Sequence, residues 1–366
     1  MSLEGELQLR LQVQAGRIAG VHIGTTRPDI AATLLQGRHR DEVQAAVPLL
    51  FSVCARSQAA ACRLAIAAAA GLPANGDALA SARADVAAEM VREGAWQTLL
   101  NWPRWRDEQP SAEATAAARA AQGWRGGGRG GQEAAEAIAH AVFGRRAADW
   151  LQLSTWPAIA AWAAAGGTAA ARYLHSLQPA APDVPDLAAT PLLDPPDTGW
   201  LTALAAAAAA DPAFSRHPVC HGQPAETGAL ARLQADPLLG RHAPPPPSRL
   251  LARHVARLRE LALLLTGAWQ PGLGALGAQE LGPGSGLAWA DNARGLLVHH
   301  VQLDGDLVRL YRIVAPTEWN FHPQGALLTA LQGLPVSDAS AARQRAGQLV
   351  NSLDPCVTCQ VEVTDA

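Results

Sequence analysis

The chain changes its hydrophobic period twice along its length, and this limits its architecture more than any other feature. Residues 6–13 alternate strictly, with Leu7, Leu9, Leu11 and Val13 against Glu6, Gln8, Arg10 and Gln12. A period of two is the pattern of a strand with one buried face. Ala15-Gly16 can turn the chain into a second strand through Ile18, Val21 and Ile23, which predicts a hairpin. From Arg40 the pattern is helical and alanine-rich over 42–70 and 77–101, with Asn101-Trp102-Pro103 as the predicted stop. Residues 133–177 read as helices again. After Gly282-Pro283-Gly284 the strand pattern returns: Leu296–Leu303 and Asp306–Val314 flank Asp304-Gly305, a strong hairpin signal. Pro316 stops the second strand, and a last helix is predicted over about 338–353. Hairpins at both ends and helices between them predict an α+β, mainly α chain.

Composition narrows the class. Apolar residues make up 49% of the chain, enough for a sizeable core and incompatible with global disorder. Charge is close to balanced, 29 basic against 32 acidic residues, which argues against nucleic-acid or anionic-membrane partners. There is no lysine, so the glycine run at 126–131 cannot be a phosphate-binding P-loop and reads as a linker between helices. Residues 179–198 carry six prolines and 244–247 are four in a row, both read as extended connectors. The N-terminus lacks a basic, then apolar, signal-peptide pattern, and Ala158–Ala171 is too weakly hydrophobic to span a bilayer. A cytoplasmic protein is expected.

The residues able to carry chemistry are thiols. Cysteines stand at 54, 62, 220, 356 and 359, an odd number that favours free thiols or metal ligands over a disulfide framework. Cys356 and Cys359 form a Cys-x-x-Cys pair, which can chelate one metal or act as a redox couple. Cys54 and Cys62 are too far apart to complete a zinc site with it. His217, Cys220 and His221 cluster in a proline-flanked loop without a fourth ligand, and read as structural or exposed. His299 and His300 are adjacent on a strand, so they point to opposite faces and cannot chelate together. Cys62 reads as a small core residue, and the tryptophans as core or interface.

The pair lies in Asp354-Pro355-Cys356-Val357-Thr358-Cys359, near the C-terminus. This stretch resembles the last metal motif of nickel–iron hydrogenase large subunits. Four further segments resemble that family in the same order. Glu4-Gly5 opens the first strand, and Asn292-Ala293-Arg294-Gly295-Leu296-Leu297 is similar to an Ala-Pro-Arg-Gly-x-Leu segment. Ala315-Pro316-Thr317-Glu318-Trp319-Asn320 is similar to a Pro-Thr-x-Trp-Asn signature. Pro335-Val336 and Asn351–Asp354 resemble the approach to the cysteines. The resemblance is clear for roughly residues 2–70 and 288–362.

Departures from the family pattern all point one way. The first metal motif, Cys-Gly-x-Cys-x-x-x-His, appears here as Phe51-Ser52-Val53-Cys54-Ala55-Arg56-Ser57-Gln58, without its first cysteine or its histidine. By resemblance, Cys54 and Cys359 are the two sulfurs that would touch iron, Cys356 is a nickel-side ligand, and the fourth sulfur is missing. The histidine closing the last motif is Glu362. Ser2 and Glu6 replace an arginine and a histidine near the start. The glutamate expected near Arg27 is absent, and only Val363–Ala366 follow the motif, leaving no peptide to cleave.

The resemblance implies a single large-subunit-like domain over 1–366. It reads as an N-terminal hairpin and helices (1–110), an Ala/Pro/Gly-rich helical middle (111–285) and a hairpin with the C-terminal metal motif (286–366). It places the chain in an accessory branch, the HupK/HoxV type, regarded as scaffolds for the Fe(CN)2(CO) unit rather than enzymes. Iron with two cyanides and two thiolates carries about −2 and needs a compensating group when buried. Arg294 is the implied cation, Thr317 the implied donor to a cyanide, and Leu297 the apolar wall for carbon monoxide. Ala293 and Pro316 contribute backbone, and Asp354 supports the thiolates. The implied metal ligands are Cys54, Cys356 and Cys359, with no nickel and no iron–sulfur cluster. The implied partners are a maturation chaperone and cyanation complex as donor and a hydrogenase large-subunit precursor as acceptor. Three other readings stay open: a divergent catalytic hydrogenase with three cysteines, a metal-free docking module, and a zinc or dithiol redox protein.

Overall fold

The first hairpin forms where the alternation predicts it. A computed structural model describes residues 5–27, 31–51, 53–72, 76–177, 190–268 and 275–365. Ser2, Glu4, Ser52 and residues 179–189 of the proline-rich connector lie outside the described residues. Strands β1 (Leu7–Gln14) and β2 (Arg17–Thr25) pair antiparallel around Ala15-Gly16, whose φ angles of 49° and 71° suit a two-residue turn. Leu7, Leu9, Leu11 and Val13 are buried and Arg10, Gln12 and Gln14 exposed. Each buried leucine contributes about 2 kcal/mol. A further strand, β7 (Cys359–Asp365), runs parallel to β1 and completes a sheet of order β2-β1-β7. The reading of the sequence does not anticipate it, because its pairing partner lies at the other end of the chain.

The chain divides into two units interleaved along the sequence. The first comprises Met1–Ala82, Leu187–Ala231 and Ala275–Ala366, and the second Arg83–Asp186 and Arg232–Gly274. In the first unit, β3 (Leu276–Gly282), β4 (Ser285–Asn292), β5 (Gly295–Asp304) and β6 (Leu307–Val314) form an antiparallel meander. The β5–β6 hairpin is the expected one, but Asp304 pairs with Leu307, so Gly305 and Asp306 make the turn. The β3–β4 hairpin was not expected. Nearly every residue of β4 is buried or half-buried on both faces, which erases the alternation that reveals a strand.

That sheet is covered on both faces. Helix Thr198–Ala210 covers one, packing Trp200, Leu201, Leu204 and Ala205 on Leu287, Leu296, Val298, Val314 and Trp319. Helix Ala55–Ala69 covers the other, lying so close to β4 that a Cβ at Gly286 would sit 2.2 Å from Ala69 N and 2.3 Å from Ala65 O. Only glycine permits this approach. Two helical expectations are corrected here. The helix predicted over 42–70 is two, Arg40–Leu50 and Ala55–Ala69, with Phe51 extended between them (φ −129°, ψ 94°). Pro48 near the end of the first removes a helical hydrogen bond just before the break.

The second correction lies at the predicted stop. Helix Gly76–Trp96 continues through a wide turn, Gln97–Asn101, into Trp102–Arg104. Pro103 stands in the first turn of that last segment, where its missing N–H needs no partner. The second unit is helical: Ala112–Gly123, Arg129–Phe143, Ala147–Leu151, Trp156–Ala165, Ala169–Ser176 and Arg249–Thr266. Ser111, Thr155, Thr168 and Ser248 cap four of these helices through their side chains, and Gly144, Gly166 and Gly267 end three in the left-handed conformation. Trp102 stacks on Tyr173 at 4.8 Å with His254 edge-on to both rings. Two nearly buried ion pairs, Arg259–Asp236 and Arg232–Glu260, close at 2.7 Å. No helix is long and apolar enough to cross a membrane among the described residues.

The contact at Gly286 makes a stability prediction. Gly286→Ala is expected to lower unfolding free energy by about 3 kcal/mol, because backbone on both sides must move. A urea titration followed by circular dichroism measures it, and a change below about 0.5 kcal/mol would contradict the packing described.

Candidate metal centre

Four chain segments of the first unit build the candidate site. The β4–β5 turn is shaped by Asn292, whose Oδ1 accepts from the backbone N–H of Arg294 (2.9 Å) and of Gly295 (3.2 Å). Gly295 has φ +135°, and a Cβ there would lie 2.4 Å from Thr227 Cγ2. Thr227 Oγ1 accepts from Leu296 N at 2.9 Å. This clamp holds Arg294 in place at the tip of the hairpin.

The second segment, Pro316–Asn320, begins directly after β6 with proline at the first helical position. Its Asn320 joins three segments: Oδ1 accepts from Thr227 N (2.9 Å), while Nδ2 lies 3.5 Å from Arg294 O and 3.4 Å from Leu353 O. Asn320 is buried, so these polar contacts replace the water it has lost. Glu318 in the same segment meets Arg27 at 2.9 Å, and burial pushes its carboxyl upward against the pull of that arginine. Gly5 stands against this arginine: a Cβ there would sit 2.5 Å from Arg27 Cα.

The third segment follows helix Ala339–Leu353, whose N-terminus is capped by Asp338. Asp354 ends the helix in the left-handed conformation (φ 52°, ψ 70°), with its N–H on Val350 O at 2.9 Å. Aspartate tolerates that conformation better than most residues, and Pro355 prevents the helix from continuing. The turn directs Asp354 at Arg294: Oδ2 and Nε are 3.7 Å apart, both groups more than nine-tenths buried. It also sets Cys356 beside Thr317. Thr317 Oγ1 accepts from Cys356 N (3.4 Å) and shares a hydrogen bond with Cys356 Sγ at 3.2 Å. Cys359 opens β7 opposite Leu7, and burial pushes its thiol up to about 11.

The fourth segment is the start of helix Ala55–Ala69, where Cys54 is the N-cap residue. Gln58, one turn on, donates to Cys54 Sγ at 3.7 Å and receives His299 of β5 on its Oε1 at 2.8 Å. Gln58 meets β5 at His299, whereas Ala65 and Ala69 meet Gly286, whose partner on β5 is Val301. The helix therefore runs the same way as β5, and its Cys54 end lies toward Leu297 and the Arg294 turn. Leu297 is fully buried on the same strand face as His299.

The structure thus links most of the residues named from the sequence. Arg294 meets Asp354, Thr317 meets Cys356, and Cys54 and Leu297 share one side of the β4–β5 sheet. Pro316 is buried and Ala293 half-buried at the rim of the turn. Asp354 faces the guanidinium of Arg294 rather than a sulfur. The other candidates stand apart: the His217 ring lies edge-on to His322 at 5.7 Å, and Cys220 pairs with Gln223 through the backbone. His299 and His300 do face opposite ways, toward Gln58 and Ser285 respectively. Among the described residues no three His, Cys, Asp or Glu side chains are gathered as a ready metal cage.

Reading the sequence did not find Gln58, Thr227, Asn292 or Asn320 as working residues. Asn292 had a local signal, an asparagine two residues before a turn amide. Gln58 and Thr227 had none, because their partners are distant in sequence.

Comparison with known proteins shows what the chain resembles. The nickel-dependent hydrogenase family matches residues 278–362, which contain Arg294, Leu297, Thr317 and both C-terminal cysteines. Over its full length the chain is similar to the hydrogenase expression/formation protein HoxV of Cupriavidus necator, 32% identical with 98% of this chain and 96% of that protein covered. It is also similar to HupK of Rhizobium leguminosarum bv. viciae, 29% identical with 99% and 97% covered. Among solved structures, the Ni-Fe-Se hydrogenase from D. vulgaris Hildenborough shares the fold, with a TM-score of 0.60, 15% identity and 94% of each chain covered.

Two measurements follow. Asn320→Ala removes the group that joins residues 227, 294 and 353, and is expected to cost about 2 kcal/mol of stability, read from the urea midpoint. The raised Cys359 thiol stays protonated at neutral pH, so its alkylation by iodoacetamide should accelerate about tenfold per pH unit from pH 7 to 10. A plateau below pH 9, resolved by mass spectrometry of its peptide, would contradict the burial assigned to Cys359.

Proposed function

Because the chain belongs to the family of hydrogenase expression/formation proteins that includes HoxV and HupK, we propose that it acts in hydrogenase maturation as a carrier of the Fe(CN)2(CO) unit. In this reading Cys54 and Cys359 supply the sulfurs to iron, and Cys356 assists capture or release. The observation that supports it most is Arg294, an always-charged guanidinium held in a buried site beside the C-terminal metal motif, with Asp354 at 3.7 Å. A cation so placed serves an anionic cargo, and its planar fork of donors can reach a cyanide nitrogen. Thr317 is one hydrogen bond from Cys356 and can turn its hydroxyl to a second cyanide. Leu297 offers carbon monoxide a wall without polar groups.

Release follows from the same chemistry. The cargo is the substrate, and it leaves when a deprotonated acceptor cysteine displaces a sulfur here, which then takes up a proton. The cysteine of the first motif that this chain replaces with Phe51 would have added another sulfur. With fewer sulfurs the cargo is held less tightly and no pair of nickel-only ligands is complete. The donor is then a chaperone and cyanation complex and the acceptor a hydrogenase large-subunit precursor. The protein itself performs no hydrogen chemistry.

Infrared spectroscopy of protein purified anaerobically from cells that make the maturation machinery tests the proposal, with iron and nickel measured on the same sample. Expected are cyanide and carbonyl bands with about one iron per chain and no nickel. Cys54→Ala and Cys359→Ala should abolish the bands, and Arg294→Leu should reduce bound iron about tenfold or more while the fold persists. Hydrogenase maturation that proceeds without bands, and that survives both cysteine substitutions, would leave a metal-free docking module as the better account.

A further inference from the structure

Behind Cys54 lies a line of buried polar side chains for which cargo binding alone gives no reason. Tyr311 and His299 are fully buried and Gln58 nearly so. The Tyr311 Oη is 2.8 Å from His299 Nδ1. His299 Nε2 is 2.8 Å from Gln58 Oε1, and Gln58 Nε2 reaches Cys54 Sγ at 3.7 Å. The line crosses from β6 to β5 and on to the start of helix Ala55–Ala69.

Counting hydrogens gives this line a direction. Gln58 faces His299 with its oxygen, so the hydrogen between them belongs to His299 Nε2. Burial pushes His299 down to about 3, so the ring is neutral and carries only that one hydrogen. Nδ1 is then an acceptor, and Tyr311 donates its O–H to it. The direction is Tyr311 to His299 to Gln58, ending with an amide N–H on the Cys54 sulfur.

We infer that Tyr311, His299 and Gln58 form a directed hydrogen-bond relay that holds Cys54 as an acceptor, the state in which its sulfur can bind a metal. All three are positioning residues. The reversed relay would turn the Gln58 oxygen toward Cys54 and require a proton on that sulfur, which opposes ligation. A buried line of hydrogen bonds strongly favours one consistent direction, since a mismatch anywhere leaves a group unpaired. The amide of Gln58 therefore does more than fill the place of a histidine. It transmits the orientation set by Tyr311 through His299. The value of this for cargo capture rests on the reading of Cys54 as an iron ligand; the relay itself does not.

The experiment uses the metal-free, full-length chain. Nitrogen-15 NMR on histidine-labelled protein reads the tautomer of His299, assigned by its loss in His299→Gln. Expected is a proton on Nε2 and a bare Nδ1. In parallel, alkylation of Cys54 by iodoacetamide is followed by mass spectrometry at one fixed pH; trypsin cuts at Arg56 and so separates Cys54 from Cys62. Tyr311→Phe should slow Cys54 about fivefold, the share of one net hydrogen bond. A proton on Nδ1, or an unchanged Cys54 rate in Tyr311→Phe, overturns the relay. Neither readout contains iron, so missing infrared bands would remove the cargo reading and leave these results intact.

Discussion

The seating of helix Ala55–Ala69 on the sheet governs the rest of this site. Gly286 lets the helix backbone approach β4, where any side chain would meet Ala65 and Ala69. Because that distance is set, Gln58 reaches His299 across the interface at 2.8 Å, and Cys54 comes to lie at the Arg294 end of β5. The N-terminal thiol and the hairpin cation are separated by some 240 residues of chain, yet one close contact aligns them. A bulkier residue at 286 would shift the helix and take the sulfur out of line.

A second set of contacts brings the segment that carries Cys356 to the Arg294 turn. Asn320 joins the Thr227 loop, the Arg294 turn and the end of helix Ala339–Leu353 through its one side chain. Asp354 then turns the chain so that a carboxylate faces Arg294 and Cys356 falls against Thr317. The arrangement is guarded rather than reactive. Cys356 lies against the Thr317 hydroxyl, Arg294 sits near a carboxylate, and Cys359 keeps its proton until the pH is high.

The fold itself is that of the hydrogenase large subunits, at 15% identity to a solved member. Its metal motif is depleted in this chain, with Phe51 and Gln58 where a cysteine and a histidine would stand. Those two changes differ in consequence. Phe51 is buried beside the helix break and contributes only packing. Gln58 retains a hydrogen bond to Cys54 and connects it to groups deeper in the core.

Local chemistry was legible in the sequence wherever it depended on near neighbours. The alternation of residues 7–13 defined β1, the Asp304-Gly305 step marked the β5–β6 turn, and a last helix was legible over about 338–353. The ordered motifs around Arg294, Thr317 and Cys356 carried the family resemblance. What could not be read depended on partners distant in the chain. Strand β7 exists because β1 offers it an edge, and β4 lost its alternation because helices cover both faces. The helix over 42–70 broke at Phe51, and the chain passed through Pro103 without ending. The roles of Gln58 and Asn320 arise only when segments 26 to 241 residues apart are brought within hydrogen-bonding reach. The sequence by itself determined which groups are available. The tertiary structure decided which of them meet, because a hydrogen bond or an ion pair acts over about 3 Å and the chain between partners imposes no such distance.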